Sequence, residues 1–234
     1  MPQSFSDTPR GSGNKCHKIF RLARQMFAVG MLLLCACLLG GALGFSSADN
    51  PGLFSPFNHN LSELGTYGLS PLAVLANGGV FFGGLLLSLG CLQGMRTQRG
   101  GGMMAWLLLA FTWLSLALTG LFPSNVYHLH TLALKWFFIL GLAASLCYCI
   151  YLALRQAPVT GFWALSLCLM ALVANSAFLL LPSLALESLP FSRPFYEEAY
   201  SPYPRPAFWW PATLQWLSLV TMLLWQAELF RRPD

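Results

Sequence analysis

The chain has 234 residues, of which 56% are apolar and only 9% charged, against about 25% charged in an average soluble protein. That balance excludes an ordinary water-soluble domain, which would lack polar residues to cover its surface. The net charge of +5 is spread over several short segments, so it reads as a topology signal rather than as the footprint of a nucleic-acid binder.

The chain opens on a polar stretch rich in Ser, Gly and Pro. It is expected to be a disordered cytoplasmic tail over residues 1–22, followed by a transmembrane domain over 23–231. Lys15, Lys18, Arg21 and Arg24 lead into the first apolar run, 25–45. Small residues follow at Ser46-Ser47-Ala48, as they would after a signal peptide. The run exceeds the roughly 7–15 residues of a signal core, which favours a retained anchor.

Five more runs are long enough to cross a bilayer, over 71–93, 103–122, 130–154, 161–181 and 210–230. The expected fold is therefore all-α, an integral membrane bundle of six transmembrane helices. With six spans, Arg10, Lys15, Lys18, Arg21, Arg24, Arg96, Arg99, Arg155, Arg231 and Arg232 all fall on one side. The other side has Arg193 and Arg205 among the acids Asp49, Glu63, Glu187, Glu197 and Glu198. The positive-inside rule places both termini in the cytoplasm.

Small residues four apart, Gly40/Gly44, Gly79/Gly83 and Gly90/Gly94, suit close helix packing within the bundle. The cysteines inside apolar runs read as small hydrophobes, and Cys147-Tyr148-Cys149 has neither zinc nor redox spacing. The loop from Pro182 to Trp209 is dense in Pro and aromatics, so it cannot be a regular helix and is expected to pack on the bundle.

The candidate functional residues gather on the outer side. Ser62, Glu63, Asn77, His128, His130 and Lys135 form an expected polar cluster, with Glu63, His128 and His130 as candidate catalytic groups. His59 and Glu63 are four apart, one face of a helix if the segment is helical. With His128 and His130 they offer a metal-ligand set, but no HExxH pattern supports it, and no metal or cofactor is expected. Lys135, inside the fourth span, either snorkels outward or pairs with Glu63, Glu197 or Glu198. Asn77 and Asn175 suit hydrogen bonds between helices.

These residues also carry a resemblance. Ser62-Glu63-Leu64-Gly65, then Asn77, then Gly120-Leu121-Phe122-Pro123, then His130 heading a span with Phe137-Phe138, resemble the bacterial membrane proteins of domain-of-unknown-function family 998. More distantly they resemble the Frag1/DRAM/Sfk1 six-span group, some members of which are linked to lipid handling. The matching histidine is His130, with His128 as the alternative. Lys135 stands where the family pattern is apolar, and the aromatic outer loop is enlarged. The resemblance implies a bundle in a bacterial inner (cell) membrane and no defined activity.

The leading expectation is a non-enzymatic protein that binds or senses membrane lipids or a membrane protein partner through the outer polar cluster. One alternative is a membrane-embedded hydrolase, with or without metal, using the outer His and Glu residues. The other is a small-molecule transporter, for which Lys135 is the interior ionisable group.

Overall fold

A computed structural model of the chain describes residues 11–45, 54–98, 100–155, 161–184, 193–198 and 205–231. The helices are α1 (Gly11–Leu43), α2 (Ala73–Met95), α3 (Gly101–Leu121), α4 (Tyr127–Arg155), α5 (Phe162–Leu180) and α6 (Trp210–Arg231). Short 3₁₀ turns lie at Leu61–Gly65 and Leu181–Leu184. The described residues contain no strand, and the fold is all-α as expected.

One boundary differs from expectation. α1 starts at Gly11, inside the segment expected to be a disordered tail up to residue 22. Lys18, Arg21 and Arg24 are exposed on its surface. Such straight-chain residues propagate an existing helix at little cost, so the apolar span extends backwards through its basic flank. Residues 1–10 lie outside the described residues.

Consecutive helices are neighbours: α1 packs on α2, α2 on α3, α3 on α4, α4 on α5 and α5 on α6. Glycines set how closely they approach. A Cβ on Gly30 of α1 would lie 2.9 Å from the Gly83 carbonyl oxygen of α2, and one on Gly83 3.0 Å from the Gly30 carbonyl oxygen. A side chain at Gly79 would overlap Cys37. The α2–α3 contact is equally close: a Cβ on Gly84 would lie 2.9 Å from the Ala117 nitrogen and 3.0 Å from the Trp113 oxygen. In lipid, apolar side chains gain little by leaving one greasy environment for another, so close van der Waals packing of this kind does the joining. The small-residue pairs of α2 thus act within the bundle, as expected.

α6 has a different position from the rest. Its Phe230 ring lies against Phe20 and Phe27 of α1 and Trp106 of α3. Its Trp225 meets Tyr148 of α4, and its Gln226 amide reaches Cys91 of α2. α6 therefore packs along α5, reaches α1 to α4 through these side chains, and leaves Leu217, Val220 and Leu224 exposed on its outer face. Gln215, Ser218, Thr221, Gln226 and Glu228 are all buried along the helix. Those polar residues explain why five helices, α1 to α5, are long and apolar enough by composition to cross a membrane, while α6 is not among them. The face of a helix turned toward its neighbours can carry polar groups that a lipid-facing surface cannot.

If backbone approach at Gly84 holds α2 to α3, Gly84→Leu should lower the thermal midpoint in detergent markedly. Gly78→Ala, with nothing within 4 Å of the added carbon, should leave it within a degree or two. Equal midpoints for the two variants would remove this account of the packing.

Candidate functional site

At the end of the bundle where α1 finishes and α2 begins, the chain forms a cap rather than an open loop. The 3₁₀ turn Leu61–Gly65 is buried throughout. A buried turn of irregular backbone has polar groups that must find partners inside the protein. They find them on four other parts of the chain.

The first partner is His130, in the opening turn of α4. Its Nε2 lies 2.7 Å from Ser62 Oγ, and its Nδ1 lies 2.8 Å from the Phe122 carbonyl oxygen. A carbonyl only accepts, so in the neutral imidazole Nδ1 carries the proton and Nε2 is left to accept from the Ser62 hydroxyl. Ser62 and His130 are 7% and 4% exposed, so this pair is shielded from solvent.

The link between α3 and α4 supplies the second set. Pro123 helps end α3, because the residue before a proline is steered away from helical geometry. Ser124 and Asn125 follow. Thr66 donates to the Ser62 carbonyl at 3.0 Å, which leaves Ser124 Oγ, 2.6 Å away, as the donor to Thr66. The Asn125 amide accepts from the Tyr67 N–H at 2.8 Å and donates to the Tyr67 carbonyl at 3.1 Å. From α2, Asn77 donates to the Gly65 carbonyl at 2.8 Å, and any side chain at Gly65 would collide with that amide.

The fourth contact comes from α6 and the segment before it. Gln215 accepts the Leu61 N–H at 2.9 Å, and the Trp216 indole donates to the His59 carbonyl at 2.9 Å. Arg205 forms an ion pair with Glu63, with both side chains 5% exposed or less. The guanidinium also donates to the Asn58 carbonyl at 3.3 Å and stacks over the Trp209 ring at 4.1 Å. Glu63 in turn accepts the Asn60 N–H at 3.1 Å. Two further bonds complete the latch: the Asn58 side-chain amide donates to the Pro206 carbonyl at 2.6 Å, and Trp209 N–H to the Phe57 carbonyl at 2.8 Å.

Several expected neighbours are not brought together. Glu63 is paired with Arg205. His59 precedes the 3₁₀ turn, so it shares no helix face with Glu63; its Nδ1 sits at Ser55 and its ring lies against Phe45 and Phe54. His128 is exposed beside Tyr127. The four candidate ligands His59, Glu63, His128 and His130 are thus dispersed, and no three His, Cys, Asp or Glu side chains among the described residues come together as a metal-ligand set. Lys135 stands apart from the cluster, its ammonium 5.6 Å from the Tyr196 ring centre. Asn175 donates within its own helix, to Ala171 at 2.8 Å, rather than across to another.

Sequence reasoning missed Arg205, Gln215, Trp216, Ser124 and Asn125. One signal for Arg205 was present: it is one of two basic residues on the side where acids predominate. Beneath the turn, Ser62, Gly65, Asn77, Gly120 and His130 line a small cavity with the apolar Leu38, Leu61 and Val80. The space open to the centre of a water molecule is about 10 Å³, enough for about one water. The cavity walls therefore include five of the residues on which the family resemblance rests.

A buried pair stripped of one partner leaves a charge without compensation, at a cost of about 3–5 kcal/mol. Glu63→Gln and Arg205→Leu should each lower unfolding stability in detergent by that order. The double variant should lose clearly less than the sum, and strictly additive losses would mean that the two side chains do not act as a pair. His128→Ala, at an exposed position, should change stability by under about 0.5 kcal/mol.

Comparison with known proteins gives one match: residues 28–231 fit the family described as Protein of unknown function (DUF998). No curated protein and no solved structure matches the chain. The matched residues span nearly the whole helical bundle, and its apolar helices are those of a multi-pass membrane protein. The chain belongs to the DUF998 family of proteins of unknown function.

Proposed function

We propose that the protein is a six-span component of a bacterial cell membrane, with both termini cytoplasmic, that recognises a lipid of the outer leaflet at its cap. One observation carries this reading. The polar side chains of Ser62, Asn77, Thr119 and His130 meet at a cavity whose remaining walls are apolar, at one end of the bundle. The cavity itself holds about one water, so the lipid lies at the rim beside it with its polar head toward these groups.

The rim fits the same reading. Phe57, Phe208 and Trp210 are exposed beside the latch, with Phe57 against Phe208 and Phe208 against Trp210. Aromatic rings at this position match the interfacial belt where headgroups meet acyl chains. A transport role draws less support. Lys135 sits at the edge of the bundle over Tyr196, while the neighbouring Phe137 and Phe138 fill the interior.

Two experiments check this. A photoactivatable phospholipid added to the purified protein should attach preferentially to the cap rim near Phe57, Phe208 and Trp210, as mapped by mass spectrometry. Attachment spread evenly over all lipid-facing helices would count against a cap site. Reporter fusions should read cytoplasmic after Arg231 and external in the α3–α4 link; an external signal after Arg231 would overturn the proposed topology.

A further inference from the structure

We propose that Cys149 and Cys168 form a redox-active dithiol, which a lipid hydroperoxide oxidises to a disulfide joining α4 to α5. The cysteines are all free thiols, and their spacing along the chain gives no sign of a pair. The fold supplies one: Cys149 Sγ of α4 lies 3.8 Å from Cys168 Sγ of α5. A disulfide bond is about 2.05 Å long, so the sulfurs close by about 2 Å, within reach of side-chain rotation. The pair stands about 9 Å inside the helix ends at Arg155 and Phe162, at the opposite end of α4 from His130.

The seam between the two helices suits such a bond. Gly141, Ser145 and Cys149 recur every four residues on α4 and so share one face. A Cβ on Gly141 would lie 3.3 Å from the Asn175 side-chain amide of α5. The Cys168 thiol donates to the Ser145 carbonyl at 3.5 Å. Small residues at these contacts let the two backbones come close, and a disulfide needs that short separation. With its proton held at Ser145, the Cys168 sulfur keeps a lone pair free toward Cys149, the direction from which the new bond forms.

Access differs between the two thiols. Cys168 is fully buried, whereas Cys149 is partly exposed on the surface that carries Leu146 and Ile150, which are 49% and 50% exposed. In a membrane that surface meets acyl chains, so the oxidant that reaches Cys149 is one dissolved in lipid. A hydroperoxide on an acyl chain has that solubility and accepts two electrons from a thiol. Cys149 is therefore the attacking sulfur and Cys168 the resolving one. Cys147 has its thiol at the Gly101 carbonyl of α3, 4.0 Å away, and takes no part.

Two bond exchanges complete the oxidation. The Cys149 sulfur attacks the terminal peroxide oxygen, the O–O bond breaks, and the alkoxide leaves with the Cys149 proton as an alcohol. Cys149 is then a sulfenic acid. The Cys168 sulfur attacks the Cys149 sulfur, the S–O bond breaks, and the hydroxyl leaves with the Cys168 proton as water. Two thiols and one hydroperoxide become one disulfide, one alcohol and one water. Two electrons have passed from sulfur to oxygen.

The test treats the full chain in detergent, reduced and held without oxygen, with linoleic acid hydroperoxide. Peptide mapping should find Cys149 linked to Cys168, with hydroxy acid released alongside. Cys168→Ser should lose the link and stop at a Cys149 sulfenic acid, trapped by dimedone. Cys149→Ser should lose the link and leave Cys168 reduced, while Cys147→Ser should leave the link unchanged. The link is read first in the unsubstituted chain, so the inference does not depend on any variant folding. Both thiols still free after excess hydroperoxide would overturn it. A link made through Cys147 would overturn the pairing, and an equal rate with hydrogen peroxide would overturn the lipid-borne oxidant.

Discussion

The cap depends on the need to satisfy the polar groups of a short 3₁₀ turn that is buried at one end of an apolar bundle. Water cannot meet that need in such a place, so side chains from distant parts of the sequence must. Asn77, Ser124, His130, Gln215 and Arg205 all converge on residues 60–66 for this reason. Each contact joins a different stretch of chain to the turn, so the arrangement of helix ends follows from one local demand. The Glu63–Arg205 pair is the most demanding member, because a buried charge requires an opposite charge and good hydrogen bonds together.

Much of the bundle was legible in the chain because hydropathy in a membrane is a strong signal. The boundaries of α2 to α6 fall within a few residues of the expected spans. α1 was misjudged at its start, since basic residues say which side a segment is on but not whether it is helical. Close packing at Gly79 and Gly83 was also readable, because glycines four apart have few other uses in an apolar helix.

The site was legible only in part. Ser62, Asn77 and His130 were found through a resemblance and polar placement, and they do line one cavity. The expected His59–Glu63 helix face failed because four-residue spacing carries geometry only inside an α-helix, and the turn begins at Leu61. Lys135, read as either snorkelling outward or pairing with a carboxylate, lies over an aromatic ring, a contact that charge bookkeeping does not consider. Arg205 lies 142 residues from Glu63 in sequence, and no local pattern links the two.

The burial of polar residues along α6 bears on how the protein is made. Synthesis runs from the N-terminus, so α1 to α5 emerge before α6. Until α6 arrives, the Cys91 thiol and the Trp106 ring lack the Gln226 and Phe230 side chains that later meet them. α6 itself, carrying Gln215, Gln226 and Glu228, gains little from entering lipid alone. A chain truncated before α6 would therefore lack the buried partners of Cys91 and Trp106 together with Gln215 and Trp216, which hold the cap.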